Sequence, residues 1–383
     1  MDINAIIRGH SRKANSMIRI LHVIGSMGRG GSETMIMNLY RKINREKIQF
    51  DFMVHTEKKF DYDDEIQALG GRIYRVPKFN GLNFREYSKA WEHFFSKHKE
   101  HKIVHGHIGS SAAIYLKIAK KHGRFAIAHS HNTKDSSRSV RSYLWRVYSF
   151  PTRYVADYFF ACSKQAGIDR YGKKAIENNF TVLNNAIDSA LYQYSPEVRR
   201  NKRIELNIEK SFIIGHVGRF EYQKNHEFLI SVFHEIHKRK DNAVLMLIGD
   251  GTLKPDITRQ VSKLGISDSV LFLGVRDDVP DLMQAMDVFV FPSHYEGLGI
   301  VAIEAQAAGL HTICSDALPD EAAVTKLLEQ CSLEKGPIFW ASTILKYSNG
   351  YDRCDMKEEI CEVGYDIYQT VRWLETFYEK HST

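Results

Sequence analysis

The chain has 383 residues, 43% of them hydrophobic and 26% charged, which is the composition of a globular protein long enough for two domains. It has no early run of about 18 apolar residues, and residues 1–16 lack the apolar core of a secretory signal, so we expect a loose extension there rather than a spanning helix or a signal. The net charge of +7 is uneven: residues 1–190 hold 32 Lys/Arg and 17 Asp/Glu, giving +15, and the remainder gives −8.

A basic first half joined to an acidic second half predicts two units that meet different surfaces. An anionic membrane, a phosphorylated lipid or a nucleic acid would each fit the basic half, and so would a generic basic surface without a partner. The five cysteines form no CxxC pair, which favours reduced thiols and a cytoplasmic protein.

Short β-branched runs alternate with helical patterns along the chain, which is typical of parallel α/β units. The first half predicts strands at residues 18–24, 50–54, 72–76, 102–105, 125–129, 158–161 and 181–183. After a polar stretch at 189–210, interpreted as a linker, the second half predicts strands at 212–217, 243–248, 270–273, 288–291 and 311–315. The end of the chain predicts one helix at 356–380 that docks through an apolar face formed by Ile360, Ile367, Val371, Leu374 and Tyr378.

A glycine-rich segment follows the first predicted strand. Residues 25–33 read GSMGRGGSE, and glycines before a helix would let backbone N–H groups approach an anion beyond the strand end. The segment does not match the GxGxxG of dinucleotide binding, and a tight strand–helix turn explains it equally well.

A basic segment, GRFEYQKN at 218–225, follows the first strand of the second half. Arg219 offers a planar fork for phosphate oxygens and Lys224 a compact charge, so the two cations could clamp a diphosphate. An exposed loop with incidental charges is the alternative.

The most specific segment is PSHYEGLGIVAIEAQAAG at 292–309. Glu296 lies in a loop and Glu304 just over two helical turns later, so both carboxylates can face one ligand. Gly297 and Gly299 would expose backbone N–H groups at the start of the helix, which suits phosphate or sugar hydroxyls. A glutamate is a good acceptor for vicinal hydroxyls such as those of ribose or a hexose.

Histidines follow two successive predicted strands, His105 and His107 after one and His129 and His131 after the next. Alternate positions at a strand end point to the same side, so each pair fits either a binding site or structural hydrogen bonds. A zinc site would need a third-ligand pattern such as HExxH, which the sequence lacks, so we predict no metal.

Taken together, the GGSE turn, the GRF…KN segment, the EGLGIVAIE run and the paired histidines resemble retaining glycosyltransferases of family 4, in order and spacing from Met17 onward. The resemblance implies the α/β GT-B fold, in which two Rossmann-like doubly wound domains face a central cleft. The implied domains are an acceptor domain at 17–190 and a nucleotide-sugar domain at 211–355. A C-terminal helix at 356–383 would cross back to the first domain.

The resemblance also implies residue roles. Arg219 and Lys224 would bind the donor diphosphate and Glu304 the ribose, while Glu296 would hold the hexose and the distal phosphate. The other implied donor-binding residues are Gly31, Gly218, Asn225, Gly249, Arg276, Gly299, Ile300 and Val301. His131, near the transferred sugar, joins Glu296, Arg219 and Lys224 as the implied catalytic set, and the implied acceptor-side residues are Glu33, His107 and His129.

The resemblance predicts a retaining enzyme that moves a hexose from a nucleotide-sugar, expected to be a UDP-sugar, to a lipid-linked or oligosaccharide acceptor in cell-surface or exopolysaccharide synthesis. No cofactor or metal is expected, because cations and a helix N-terminus would neutralise the leaving diphosphate. An NDP-sugar 2-epimerase of the same fold is the alternative. No RNA-binding signature occurs, so no nucleic-acid partner is expected. The DxD triplet at 61–63 lacks the pattern of a metal site and is predicted to be solvated surface.

A stretch that mixes cations with aromatic residues, 138–153, suits peripheral attachment to anionic lipid. An amphipathic helix packed on the sheet would show the same pattern. The expected location is therefore the cytoplasm, with attachment to the inner face of the cell membrane.

Overall fold

The structure of the protein is a computed structural model that describes residues 17–131 and 147–382. The chain forms two compact units. The first unit extends to Ala186 and resumes at Ile367, and the second unit is Ile187–Asp366.

Two sequence expectations fall on residues outside the described ranges. They are the extension at 1–16 and most of the basic, aromatic stretch, residues 138–146. Among the helices of the described ranges, none combines the length and the apolar character that crossing a membrane requires.

The first unit is built on a parallel sheet that has seven strands within the described residues. Its central strands are covered on both faces, as parallel strands usually are, and every residue of the second strand is buried. The two edge strands, at residues 73–75 and 180–182, are partly exposed. The strands are β1 Ile18–Ile24, β2 Ile48–Val54, β3 Ile73–Arg75, β4 His101–Gly106, β5 Phe125–Ser130, β6 Tyr158–Ala161 and β7 Phe180–Val182. Their order in the sheet is β3-β2-β1-β4-β5-β6-β7, which reverses between β1 and β4.

Amphipathic helices cover this sheet. The helix Phe84–Lys97 buries Tyr87, Trp91 and Phe94, whose spacing of three or four residues places them on one face. The first helices of the unit are α1 Gly31–Lys42, α2 Asp63–Ala68, α3 Phe84–Lys97, α4 Ala112–Lys121, α5 Thr152–Val155 and α6 Lys164–Tyr171.

The second unit, all of whose residues are described, repeats the plan with six parallel strands. The strands are β8 Phe212–Val217, β9 Ala243–Ile248, β10 Val270–Gly274, β11 Val288–Phe291, β12 His311–Ser315 and β13 Leu328–Cys331. Their order is β10-β9-β8-β11-β12-β13, so the switch point lies between β8 and β11. The helices are α7 Ser189–Tyr192, α8 Pro196–Glu205, α9 His226–His237, α10 Lys254–Lys263, α11 Val279–Ala285, α12 Ile300–Ala307, α13 Gly336–Leu345 and α14 Lys357–Glu362.

The stretch interpreted as a linker, 189–210, is instead part of the second unit and contains α7 and α8. The Ser195 hydroxyl accepts a hydrogen bond from the backbone N–H of Val198, and Pro196 begins α8. A serine followed by a proline is a common helix start, but the polar character of the stretch led to its interpretation as a linker. Arg199 and Arg203 anchor the helix because both pair with Asp287, at 2.5 and 2.7 Å.

The segment predicted as one final helix forms two. Gly364 has a φ of +77°, which separates α14 from α15 Ile367–His381. Ile360 packs in a core of the second unit, whereas the buried face of α15, which includes Leu374 and Tyr378, packs in a core of the first unit. The docking face that the sequence predicted is therefore shared by two helices, each with a different core.

Candidate active site

Two loops meet at the switch point of the second sheet, where doubly wound sheets bind their ligands. Residues 218–225 follow β8, and residues 292–299 follow the neighbouring strand β11. The Gln223 carbonyl accepts a hydrogen bond from the backbone N–H of His294 at 2.8 Å. The rings of Tyr222 and His294 stack with centroids 4.4 Å apart. These contacts hold the two loops together, so residues 72 positions apart in the sequence, such as Tyr222 and His294, share one site.

The centre of this site is an ion pair. The Lys224 ammonium lies 2.5 Å from Oε1 of Glu296, and the two side chains are only 15% and 6% exposed. The ammonium also lies 4.5 Å from the ring centroid of Phe291, which confines it from one side. An ammonium has three N–H donors, and Glu296 uses one of them, so Lys224 retains donors for a phosphate.

Arg219 is the second cation of the loop. Its side chain is exposed, and within the described residues its guanidinium has no hydrogen-bond or ion-pair partner. The next residue, Phe220, is fully buried, and its backbone N–H donates to the carbonyl of Asp250 at 3.0 Å. Phe220 therefore anchors a loop whose arginine is neutralised by no other charge of the described residues.

Gly249 explains how close the loops after β8 and β9 come to each other. It has a φ of +135°, and a Cβ at this position would lie 2.1 Å from the Gly218 carbonyl oxygen. Only glycine allows this contact, so Gly249 supports the loop that carries Arg219. Asn225 closes the same loop with a φ of +55° and begins α9 as its N-cap.

Glu304 lies in the second turn of α12, whose N-cap is Gly299 with a φ of +73°. This left-handed φ favours glycine at the start of the helix, and a Cβ there would also lie 2.3 Å from Cδ1 of Leu318. Ile300 and Val301, the first two helical residues, are partly exposed. Burial raises the pKa of Glu304 to about 7, opposed in part by a hydrogen bond from the Tyr192 hydroxyl.

Arg276, one of the implied donor-binding residues, follows β10. Its guanidinium donates from Nε and Nη2 to the two carboxylate oxygens of Asp278, both at 2.7 Å. This contact holds the pKa of Asp278 well below its usual range. Arg276 is therefore already neutralised by a carboxylate, in contrast to Arg219.

In the first unit, the glycine-rich segment forms the turn between β1 and α1. Gly31 is the first residue of α1, is exposed and has no atom within 4 Å of a Cβ built on it. Glu33 accepts a hydrogen bond from the Ser32 hydroxyl at 2.7 Å and lies over Gly30. The turn therefore leaves free space around Gly31, close in the sequence to the Glu33 carboxylate.

The paired histidines belong to a cluster that also includes His22 of β1. His22 Nδ1 lies 3.0 Å from His107 Nε2, and His107 Nδ1 lies 2.8 Å from His131 Nε2. His105 Nε2 lies 3.2 Å from His129 Nδ1. Both ring nitrogens of His107 are therefore engaged by other imidazoles, and His129 is only 3% exposed. Burial lowers the pKa of His131 to about 4, and it lowers the pKa of the other four rings as well.

Subsets of these rings, His22/His105/His107 and His107/His129/His131, could in principle surround a metal, as could His98, Glu100 and His101. Two nitrogen ligands of a tetrahedral zinc lie about 3.3 Å apart, because each Zn–N bond is about 2.0 Å. The shorter N···N distances in the cluster, 2.8 and 3.0 Å, fit shared protons better.

The DxD triplet differs from its prediction as solvated surface. Asp61 is exposed, but Asp63 is 5% exposed and begins α2, with Arg75 at 4.0 Å. Asp63 is buried because it lies three residues before Ile66, through which α2 packs into a core of the first unit.

Several site residues have no obvious signal in the sequence. Tyr192 lies in the stretch read as a linker, and His22 lies inside a strand that reads as apolar core. The alternation rule could have found His22, because residue 22 is in the middle of β1 and pairs in register with His105 of β4. Tyr222 and His294 contact each other only because β8 and β11 are neighbours.

The protein has two doubly wound parallel sheets, with cations and carboxylates at the switch point of the second sheet. This architecture is that of the GT-B class of glycosyltransferases. The sequence prediction of the fold class is confirmed.

Comparison with known proteins agrees. Residues 29–191 match the family model described as Glycosyltransferase Family 4, and residues 198–328 match Glycosyl transferases group 1. A Bacillus subtilis protein named as glycosyltransferase EpsF is 34% identical over 367 residues, which are 93% of this chain and 95% of that protein. The chain belongs to glycosyltransferase family 4, and it is a glycosyltransferase.

Two further likenesses are relevant. The capsular polysaccharide biosynthesis glycosyltransferase CapH of Staphylococcus aureus is 27% identical over 350 residues, covering 86% of this chain and 90% of CapH. The crystal structure of HepE of Anabaena in complex with UDP has a TM-score of 0.71 at 16% identity, covering 95% of this chain and 97% of HepE. The comparisons do not support the epimerase alternative.

Proposed function

We propose that the protein transfers a hexose from a UDP-sugar to a lipid-linked or oligosaccharide acceptor, with retention of configuration, in the assembly of an exopolysaccharide or capsule. The observation that carries the proposal is the Lys224–Glu296 contact at the switch point of the second sheet, in the same loop as Arg219, which is unpaired among the described residues. The name of CapH supports the pathway, and the UDP bound to HepE supports the nucleotide. We assign donor binding to the second unit and the acceptor to the basic first unit.

In the proposed mechanism, the bond between the anomeric carbon and the diphosphate oxygen breaks, and the acceptor hydroxyl oxygen bonds to the same face of the sugar. The acceptor proton moves to an oxygen of the leaving diphosphate. Negative charge builds on that diphosphate, and Arg219 and Lys224 stabilise it together with the N-terminus of α12, so no metal or other cofactor is needed. Glu296 is assigned to orient the hexose, and His131 is assigned to the transferred sugar because the family resemblance implies that role.

The ribose is assigned to Glu304, and this assignment predicts a dependence on pH. Hydroxyls that donate to Glu304 favour its ionised form, so UDP binding lowers its pKa from about 7 and releases roughly half a proton at pH 7. UDP affinity should therefore rise with pH through this range. Calorimetric titration in two buffers of different ionisation enthalpy measures the release. Glu304→Gln should not release this proton on binding UDP. Equal proton release by the wild type and this variant would contradict the assignment.

Attachment to the membrane is proposed for an exposed apolar surface of the first unit. Leu82 is 94% exposed, Phe84 54% and Tyr154 75%. The Tyr148 hydroxyl donates to the Gly81 carbonyl at 3.0 Å, which places the exposed Tyr148 beside the segment that carries Leu82 and Phe84. The surface belongs to the basic half of the chain, which suits an anionic bilayer.

Sedimentation with phosphatidylglycerol vesicles tests the attachment. We expect the wild type to sediment at low salt, and Leu82→Ser/Phe84→Ser to bind roughly tenfold more weakly, because each side chain loses part of its apolar burial. Ile338→Ser, at an exposed apolar position of the second unit, is the matched control and should bind as the wild type does. No sedimentation of the wild type at low salt would contradict the proposal.

A screen of nucleotide-sugars tests the function itself. A donor at about 100 times its Kd should stabilise the protein by about 2.7 kcal/mol, seen as a rise in Tm. The donor found in this way is then incubated with candidate acceptors, and NMR of the product reports the anomeric configuration. Stabilisation by no nucleotide-sugar, or an inverted product, would contradict the proposal. Epimerisation of the donor without an acceptor would revive the alternative reaction.

A further inference from the structure

The histidine cluster of the first unit is arranged as two rows of hydrogen-bonded rings. The front row is His22, His107 and His131, linked by N···N distances of 3.0 and 2.8 Å. The back row begins at the Tyr378 hydroxyl of α15, 2.7 Å from His105 Nδ1, and continues to His129 at 3.2 Å. The front row crosses the neighbouring strands β1, β4 and β5 and ends at His131.

The two hydrogen bonds of the front row must run in the same direction along the row. A neutral imidazole carries one N–H donor and one lone-pair acceptor. Each short N···N distance needs one donor and one acceptor, so once a single ring is assigned, the tautomers of the other two follow. Burial lowers the pKa of all three rings, which keeps them neutral.

The buried end of the row selects the direction. His22 Nε2 is buried without a hydrogen-bond partner within the described residues, and the rings of Phe50 and Phe52 pack around His22 at 4.2 and 5.7 Å. An unpaired N–H donor in such a place is the rarer and more costly arrangement. The proton of His22 is therefore assigned to Nδ1, which donates to His107 Nε2. His107 Nδ1 then donates to His131 Nε2, and His131 keeps its own proton on Nδ1.

We propose that His22 and His107 are positioning residues that fix His131 in the neutral Nδ1–H tautomer, so that this ring offers a hydrogen-bond donor to a sugar hydroxyl or phosphate oxygen. The role of His131 in transfer rests on the proposed function, whereas its tautomer rests on the row alone. His107, which the family resemblance assigns to the acceptor side, acts through His131 because both of its ring nitrogens are engaged by other imidazoles.

Nitrogen-15 NMR of histidine-labelled protein reads the tautomer directly and needs no substrate. We expect the wild-type spectrum to show His131 protonated at Nδ1, with Nε2 as acceptor. His107→Phe removes the hydrogen bond to His131, so His131 should no longer be held in the Nδ1–H tautomer. We expect kcat to fall roughly tenfold, with little change in the KM for the donor. His107→Asn should restore both the Nδ1–H tautomer of His131 and kcat. Its amide nitrogen is separated from Cα by the same number of bonds as His107 Nδ1, so it can donate to His131.

Tyr378→Phe is the matched control. It removes one hydrogen bond of the same cluster but in the back row, so the His131 signals and kcat should stay as in the wild type. A wild-type His131 protonated at Nε2 would overturn the proposal, even if His107→Phe failed to fold. So would His131 signals that are the same in His107→Phe as in the wild type. A wild type that transfers no sugar would instead remove the proposed function, while the spectra would still report the tautomer.

Discussion

Arg219→Ala is expected to lower kcat/KM for transfer by about 10²- to 10³-fold while leaving the Tm of the protein unchanged. The reason is that Arg219 is exposed and, within the described residues, unpaired, so its removal breaks no hydrogen bond or ion pair of the fold. A preorganised donor aimed at developing negative charge contributes about this much to catalysis. Steady-state kinetics with the donor found by thermal shift, together with a melting curve, measure both effects.

Two variants control this result. Arg259→Ala removes an exposed arginine of the same unit that lies on α10 and pairs with Asp256, and its kinetics should match those of the wild type. Arg219→Lys keeps the charge but not the planar fork, so it should recover only part of the activity. Near-normal turnover by Arg219→Ala would remove the diphosphate clamp from the mechanism.

Lys224→Ala is expected to abolish measurable transfer and also to destabilise the second unit. It leaves the Glu296 carboxylate, 6% exposed, without its counter-charge. Breaking a buried ion pair from one side typically costs about 3 kcal/mol or more of unfolding free energy. Urea unfolding measures this loss, and Glu296→Gln, which keeps the size of the side chain, should show a smaller one.

The double variant Lys224→Met/Glu296→Leu separates stability from function. Apolar side chains of similar size often replace a buried ion pair without loss of stability, so the double variant should be more stable than Lys224→Ala. It should nevertheless transfer no sugar, because neither the phosphate cation nor the hexose carboxylate remains. A double variant that regains activity along with stability would show that the pair is structural only.

Much of the fold could be predicted because parallel strands buried on both faces leave a clear apolar signal. All twelve predicted strands correspond to strands of the structure, although β2 begins at Ile48 rather than at 50. The edge strand β13, Leu328–Cys331, was missed because its sequence, LEQC, is half polar. Helix α8 was missed because it buries none of its residues and therefore has no apolar stripe.

The composition of the candidate site could be predicted, but its contacts could not. The segments that carry Arg219, Lys224, Glu296 and Glu304 were recognised from residue types and spacing. The Lys224–Glu296 contact joins residues 72 positions apart, and it depends on β8 and β11 being neighbours in the sheet. The Tyr192–Glu304 contact depends on where α7 packs, which no local pattern indicates.

The histidines illustrate the same limit. Their alternation correctly placed His105 with His107, and His129 with His131, at the ends of adjacent strands. The sequence left open whether they form a site or a structural network. The structure shows that four of them, with His22, hydrogen-bond to one another in two rows, because the order β1-β4-β5 brings three strands together that are far apart in the chain.

A crystal structure of the protein with UDP tests the central claim, which is that two cations and two glutamates of the second unit surround one nucleotide diphosphate. We predict that the diphosphate oxygens lie within about 3 Å of the Arg219 guanidinium and the Lys224 ammonium, and that a ribose hydroxyl lies at the same distance from the Glu304 carboxylate. In this prediction Glu296 lies beside the distal phosphate. A well-defined UDP bound elsewhere, with these four side chains free of contact, would contradict the account.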